Sequence, residues 1–518
     1  MNASPHAYAR FHRSAEEHPE VHALEVGGEC LTYARLRERS ARIAARLRAA
    51  GGDRPPGRVG LLANRSVAAY AGYLGILRAG AAVVPLSPEH PAARIRGIVD
   101  AAGIDVVLTD AEHSGRDHGA IEVVADADDG ADLEPPPDVE QDDGDLAYII
   151  FTSGSTGAPK GVPITQGNLA SYLDQMESRH GIGPHSRVSG AFDLTFDGSV
   201  HDLFVTWSAG GTLVVPTRGQ LLSPVKAVNA LRLSHWFSVP SLISFALRLG
   251  TLEPKSMPGL QWSIFGGEAV PLEAARQWAA AAADGRVDIL YGPTEVTVSC
   301  TGHTLPSDLD DWPDTPNGMA PIGTCHPNLE YVLLDEEDNP SDNGELCVRG
   351  PQCFPGYLDP DNDAGRLLPA DFDPNPNPTH TSGRWYRTGD RVALRDGILL
   401  HLGRIDHQVK INGHRIEPGE IEAVLRGLPG VRDATVLAVS AAGDQTELAA
   451  VVSGGDCDPE ELYSTLTDRL PPYMLPRRIS VMDQLPLNSN GKIDRHALLD
   501  ELARTRLRAP APVAPVLS

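Results

Sequence analysis

YIIFTSGSTGAPKGV, residues Tyr148 to Val162, joins an apolar β-rich run to a loop of threonine, serine and glycine that closes on Lys160 and Gly161. Hydroxyls and exposed backbone N–H groups in such a loop can hydrogen-bond phosphate oxygens, glycines allow close approach, and a lysine adds positive charge. It is not a Walker loop, because G-x-x-x-x-G-K-[ST] does not fit and Pro159 precedes the lysine. Nor is it a G-x-G-x-x-G dinucleotide fingerprint. A lone SGSTG tract is usually a flexible surface linker; the sequence around this one points to phosphate binding instead.

A chain of 518 residues is too long for one core and predicts two or three domains. Hydrophobic residues at 41% suffice for globular folding. Lys and Arg number 44 against 69 Asp and Glu, and the resulting net charge of −25 opposes nucleic-acid binding and anionic membranes. The six cysteines (Cys30, Cys300, Cys325, Cys347, Cys353, Cys457) show no C-x-x-C spacing, which predicts a reduced, metal-free, cytoplasmic chain. The N-terminus has no apolar core of a signal peptide. The longest apolar stretch, Ala68 to Leu86, is broken by Arg78, Gly80 and Pro85, against a membrane span.

Upstream of the loop, Thr32 is a plausible N-cap for an Ala/Leu/Arg-rich helix ending at Gly51 as its C′ residue. Short apolar strands at Arg58–Leu62, Ala81–Leu86 and Ile104–Leu108 alternate with helices. Such alternation predicts a doubly wound α/β architecture with a largely parallel sheet covered on both faces. The acidic, Pro-rich run 126–145 reads as an exposed connector. Downstream come a helix near 167–179 and further strands at Thr212–Val215, Trp236–Val239, Trp262–Gly266 and Val287–Tyr291. The last of these ends in YGPTE, Tyr291 to Glu295. Ligands bind at that edge of doubly wound sheets, so Glu295 could hold a divalent cation and Thr294 a phosphate oxygen. A plain turn with a solvated glutamate is the alternative. From about Glu330 the texture is all-β, a small β-rich subdomain. Residues 410 to 500 or so then form a compact α+β module, whose turn NGKIDR, Asn490 to Arg495, carries Lys492.

SGSTG-PKG, YGPTE, YRTGD (Tyr386 to Asp390), GRIDHQVKINGHRIE (Gly403 to Glu417) and NGK stand in one order across nearly the whole chain. Together they closely resemble the adenylate-forming (ANL) superfamily, and within it the amino-acid adenylation units of nonribosomal peptide synthetases. LTYARL (Leu31 to Leu36), LRAGAAVVPLSPEHP (Leu77 to Pro91) and LPPYMLP (Leu470 to Pro476) extend the match. The resemblance implies a core at 1–405 binding ATP and an amino acid, a mobile lid at 406–503 and a disordered tail at 504–518. It implies ATP and Mg²⁺, formation of an aminoacyl adenylate with loss of pyrophosphate, and transfer to the phosphopantetheine thiol of a carrier protein. By the same resemblance Thr152, Ser153, Gly154, Ser155, Thr156, Gly157 and Lys160 contact the phosphates, with Gly267, Gly292 and Thr294 also in the ATP site. Glu295 holds Mg²⁺, Tyr291 flanks adenine, and Asp390 binds the ribose with Arg404 nearby. Asp406 is the hinge, and Lys492 reaches the substrate carboxylate and nucleotide oxygens. Thr152, Glu295 and Lys492 form the catalytic set.

For the amino acid, Asp197 in FDGSV (Phe196 to Val200) matches the family position that pairs with the α-ammonium. Asp193 stands four residues earlier, and a helix-capping role for Asp197 is the alternative. The matching pocket positions are Gly198, His201, Phe237, Ile264, Gly266, Leu290, Val298 and Ser299, with Lys492 at the carboxylate. Two glycines leave room, and no charged residue faces the side chain. A neutral amino acid of medium size, branched or hydroxylated, is therefore expected. The set resembles an isoleucine-type lining, from which His201 and Ser299 depart; His201 could equally be a packed helix histidine. No carrier-protein motif (GG-x-S) follows the last domain, so a free-standing ligase loading a separate carrier is expected, and a small MbtH-like partner is compatible. The other readings are a D-alanine:carrier protein ligase, an acyl- or aryl-CoA ligase, and a catalytically silent scaffold.

Overall fold

The computed structural model describes residues 4–52, 55–126, 141–154, 158–372, 374, 383–406, 408–440, 446–455, 457–486 and 493–506. The chain divides into two compact units. The first comprises Met1–Pro88, Arg96–Phe151 and Gly161–Asp406; the second comprises Glu89–Ile95, Thr152–Lys160 and His407–Ser518.

Two large sheets and a smaller one build the first unit. The nine-stranded sheet runs, edge to edge, Thr324–Cys325, Thr301–Thr304, Arg286–Tyr291, Trp262–Gly266, His235–Ser238, Arg187–Ser189, Thr212–Val214, His22–Val26, Glu29–Thr32. Its centre is parallel and its margins antiparallel. The six-stranded sheet runs Ile121–Val124, Val106–Thr109, Arg58–Leu62, Ala82–Leu86, Leu146–Thr152, Lys160–Thr165. A four-stranded antiparallel sheet is formed by Glu330–Leu334, Asn343–Arg349, Tyr386–Arg395 and Ile398–Arg404. The predicted α/β class, with its β-rich addition, is the observed one.

The helices follow from local rules. Thr32 accepts the N–H of Arg35 and opens Tyr33–Ala50. The C-terminal expectation shifts by one residue: Gly51 stays right-handed at φ −73°, and Gly52 takes the left-handed turn at φ +63°. Helix Val67–Arg78 is buried from Val67 to Leu77, with no polar stripe to expose. A Cβ at Gly75 would lie 2.7 Å from Ile43, so the glycine lets this helix pack directly on Tyr33–Ala50. Phe11, Tyr33, Tyr73, Phe204 and Trp207 interlock as an aromatic chain in the same core. The helix Ala7–Glu17 and the hairpin His22–Val26/Glu29–Thr32 had no sequence expectation. In the helix Tyr8, Phe11 and Ala15 stand at helical spacing and are buried, whereas the hairpin strands are too short to show a clear period.

In the second unit, strands Val431–Ser440, Thr446–Gly454 and Arg478–Met482 form one sheet. Its two-residue alternation sends Val436, Leu448 and Val452 towards helices Pro418–Arg426 and Pro459–Arg469. Leu437, Ala449 and Val451 face Leu498 and Leu502 on the other side. Helix Arg495–Arg506 continues past residue 503, so 504–506 belong to a helix and not to the tail expected from 504. Residues 507–518, most of the acidic connector, Ser155, Thr156, Gly157 and Lys492 lie outside the described residues. Among the described residues no helix is long and apolar enough to cross a membrane.

Candidate functional site

The carboxyl ends of adjacent parallel strands bring the expected pocket residues together in the first unit. Phe237 pairs in register with Ile264, and Gly266 with Leu290. His201 lies across Phe237 with ring centroids 4.8 Å apart. Asp197, Gly198 and His201 share the helix Asp197–Ser208. Asp193 and Asp197 separate by chemistry. Asp193 Oδ1 accepts the backbone N–H of Thr195 at 3.0 Å and its hydroxyl at 2.7 Å, a local turn that occupies that oxygen. Asp197 stands in the helix's first turn, where the helix dipole favours an anion, and the N-cap is Phe196, without a side-chain bond. The capping role weighed for Asp197 therefore does not describe its position. Together with burial, which dominates, its charge helps push the Tyr148 and Tyr172 hydroxyls upward in pKa.

His201 is buried, and its Nδ1 lies 2.6 Å from the Tyr172 hydroxyl. Burial, then the nearby His180, holds its pKa well below the ordinary imidazole range, so the ring is neutral. Burial likewise keeps the Tyr172 hydroxyl in its protonated form. The space expected beside the two glycines is taken. A Cβ at Gly198 would lie 2.8 Å from the Phe192 ring, and one at Gly266 would lie 2.7 Å from the Leu290 carbonyl and 3.4 Å from Phe237.

Val298 and Ser299 sit on a turn with two consecutive left-handed residues, Thr297 at φ +57° and Val298 at φ +68°. Both are β-branched, for which such angles are strained, and strain of this kind clusters at functional sites. The turn is held by hydrogen bonds: Thr297 Oγ1 donates to the Gln352 carbonyl at 2.6 Å, and Gln352 Nε2 donates to the Ser299 carbonyl at 2.9 Å. Gly292 permits the close approach, since a Cβ there would fall 2.5 Å from Ser299 Cα.

A second cluster gathers Tyr291, Asp390 and Arg404. The Tyr291 hydroxyl donates to Asp390 Oδ2 at 2.6 Å, His401 Nε2 reaches Oδ1 at 3.0 Å, and Arg404 Nη1 stands 3.3 Å from Oδ2. Burial, reinforced by the Asp390 charge, raises the Tyr291 pKa well above its usual value. Arg404 also donates to both oxygens of Asp406, at 2.8 and 2.6 Å, and Arg366 adds a third bond at 3.1 Å. Burial alone would raise the Asp406 pKa; the two guanidinium groups outweigh it and hold the carboxyl below its usual range. Gly389, at φ +74°, makes room, because a Cβ there would meet Arg404 Nη2 at 2.6 Å. His401 was not among the expected residues. Its only sequence signal is its place on the strand that also carries Arg404.

Glu295 is fully buried in the 3₁₀ turn Thr294–Val296. Its Oε1 accepts the Tyr357 hydroxyl at 2.6 Å, and its carbonyl accepts Phe354 N–H at 2.9 Å. A single buried carboxylate suits Mg²⁺, which takes one or two protein carboxylates and completes its shell with phosphate and water. Tyr357, in a Gly/Pro-rich stretch that reads as strands, carried no motif.

In the second unit, Ser153 Oγ donates to the Arg415 carbonyl at 2.6 Å and accepts Glu417 N–H at 3.1 Å. Gly154 N–H donates to Glu420 Oε2 at 3.3 Å, and Glu420 is ion-paired with Arg94 at 2.7 Å. Lys160 is buried beside Gly154.

Comparison with known proteins places these clusters in context. A family model described as "AMP-binding enzyme" matches residues 11–358, and one described as "AMP-binding enzyme C-terminal domain" matches 420–492. Phosphinothricin tripeptide synthetase PhsC of Streptomyces viridochromogenes is 38% identical over 512 residues, covering 95% of this chain and 45% of that protein. Tyrocidine synthase 3 of Brevibacillus parabrevis is 33% identical over 94% of this chain and 8% of its own length. The chain thus spans less than half the length of these synthetases. Among solved structures, IdnL7 is 37% identical with a TM-score of 0.71, covering 96% of this chain and 99% of the other. The Vibrio cholerae adenylation domain AlmE, in complex with glycyl-adenosine-5′-phosphate, is 27% identical with a TM-score of 0.82, covering 96% and 98%. A family match over more than half the sequence, on a fold shared end to end with a solved adenylation domain, shows that the chain belongs to the AMP-binding enzymes, the AMP-forming ligases of the adenylate-forming superfamily.

Proposed function

We propose that the protein activates a neutral amino acid with ATP and passes it as a thioester to a separate phosphopantetheinylated carrier protein in peptide natural-product synthesis. The observation that carries this reading is Asp197, a carboxylate in a helix's first turn whose companions at the matched side-chain positions are uncharged. An α-ammonium group is the complement such a carboxylate suits, because an ammonium–carboxylate contact is a charge-assisted hydrogen bond.

Residues 1–405 bind ATP and the amino acid. Residues from 406 onward form the lid that carries Lys492, with Asp406 as hinge, and the division of the chain after Asp406 supports this. The substrate carboxylate oxygen attacks the α-phosphorus, a P–O bond forms, and the bond to the bridging oxygen of pyrophosphate breaks. The loop from Thr152 to Lys160 neutralises the leaving phosphates. Asp390, whose carboxylate already accepts hydrogen bonds, receives the ribose hydroxyls, while Tyr291 flanks the base. Glu295, oriented by Tyr357, would hold Mg²⁺, which supplies charge neutralisation on the phosphates. In the second step the carrier thiolate attacks the acyl carbonyl and AMP departs with the electron pair of the C–O bond.

Amino-acid-dependent ATP–pyrophosphate exchange tests the reading, using a panel of neutral amino acids and their desamino analogues. Exchange with amino acids only, reduced about tenfold or more in Asp197→Ala, is expected, since a hydrogen bond to a charged group contributes about 1.5–3 kcal/mol. Equal exchange with desamino acids would overturn the assignment. Acceptance of the activated group by coenzyme A but not by carrier proteins would move the protein to the acyl-CoA ligases.

A further inference from the structure

The geometry points to Phe192, a residue outside the positions matched to the family's pocket, as the wall that limits the side-chain subsite to small amino acids of the glycine, alanine and serine class. This inference rests on the amino-acid activation proposed above and names the substrate class that the same pocket admits.

Three ring atoms of Phe192 (Cγ, Cδ1 and Cδ2) lie 2.8–2.9 Å from where a Cβ of Gly198 would be, so the base of the ring rests on the glycine. Gly198 therefore admits Phe192; it does not enlarge the cavity. Phe192 also packs on Phe237 with centroids 4.7 Å apart, and Phe237 lies against His201 at 4.8 Å. Phe192 thus covers Gly198 where a Cβ would stand, and Phe237 and His201 continue the same cluster of rings.

The wall is anchored. The carboxyl of Asp202, buried in the next turn of the pocket helix, accepts the backbone N–H of Ala191 at 3.1 Å and that of Phe192. From the other side Arg65 donates to the carbonyls of Ala191 and Pro216, both at 2.8 Å, and of Gly190 at 3.4 Å. A backbone held from both sides fixes Cα and Cβ of residue 192, and the ring's contact with Gly198 and Phe237 fixes its rotamer. A substrate side chain reaching towards Gly198 would have to displace that ring. Hydrophobic subsites discriminate by about 10–200-fold for each methylene they exclude or accept.

The test is amino-acid-dependent ATP–pyrophosphate exchange by the full chain, wild type and Phe192→Ala, with glycine, alanine, serine, valine, isoleucine and phenylalanine. Wild type is expected to prefer the small group, with alanine exceeding isoleucine by about tenfold or more in kcat/KM. Phe192→Ala is expected to shift the isoleucine-to-alanine ratio towards isoleucine by about tenfold or more, while Phe192→Tyr keeps the wild-type order. A wild-type enzyme that prefers isoleucine or phenylalanine overturns the inference without recourse to any variant. A ratio unchanged in a folded Phe192→Ala protein also overturns it. In both cases exchange itself persists and the amino-acid activation reading stands. Wild-type exchange with no amino acid but with desamino acids overturns both.

Discussion

Replacing Lys492 by alanine is expected to slow amino-acid-dependent ATP–pyrophosphate exchange by about 10²–10³-fold, the usual loss when a fixed donor to a developing oxyanion is removed. Attack brings a carboxylate against a phosphate, two anions whose repulsion is part of the barrier. A lysine between them offsets that repulsion and costs no reorganisation at the moment of reaction. Thioester formation makes no such demand, because the acceptor carbon belongs to a neutral mixed anhydride carbonyl. Supplied with preformed aminoacyl adenylate and carrier protein, Lys492→Ala should therefore transfer the acyl group at close to the wild-type rate. That second measurement separates loss of one cation from loss of the fold. An exchange rate within tenfold of wild type would remove Lys492 from the catalytic set.

The largest expected stability effect lies in a residue with no assigned catalytic role. Asp288, in the centre of strand Arg286–Tyr291, is fully buried. It accepts from Arg179 Nε at 2.7 Å and Nη2 at 2.8 Å, from Thr304 at 2.8 Å, and pairs with His180 Nε2 at 2.8 Å. Asp288→Ala leaves the Arg179 guanidinium without its anion and His180 Nε2 without its partner. Breaking one side of a buried pair costs about 3–5 kcal/mol, measurable as a lowered denaturation midpoint for the first unit. The pH dependence has a definite sign. Burial alone would raise the Asp288 pKa, but the hydrogen bonds and charges of His180 and Arg179 hold it well below the usual carboxylate range. Its folded pKa is thus depressed, so its stabilisation is present above the unfolded value of about 3.9 and is lost as the pH falls towards the folded value. Melting temperature should fall between about pH 5 and pH 3, and more steeply for wild type than for Asp288→Ala. A variant within 1 kcal/mol of wild type would show that the network contributes little net stability.

Much of the fold is legible from local chemistry alone. Strands Arg58–Leu62 and Trp262–Gly266 coincide with the apolar runs read from the sequence, because parallel strands buried on both faces are predominantly apolar. The cap Thr32 is likewise a local event, one hydroxyl and one N–H three residues on. The ordered motifs suffice for family membership, and the family matches agree.

Partners far apart in the chain are another matter. Tyr291 and Asp390 meet across 99 residues, Tyr357 and Glu295 across 62, and Arg179 and Asp288 across 109. Nothing in the spacing of any one segment reports such pairs, because the partners sit on separate strands, turns and loops that only the folded chain brings together. Gly198 shows the difference most clearly. As a letter in FDGSV it reads as room for a substrate, since glycine has no side chain. Only the packed structure shows that Phe192 occupies that room, because the volume left by a missing Cβ belongs to whichever neighbour tertiary packing brings against it. Local sequence thus suffices for the architecture and the reaction family. Which polar atoms pair, and which neighbour takes the volume a missing Cβ leaves, follows from packing between segments far apart in the chain.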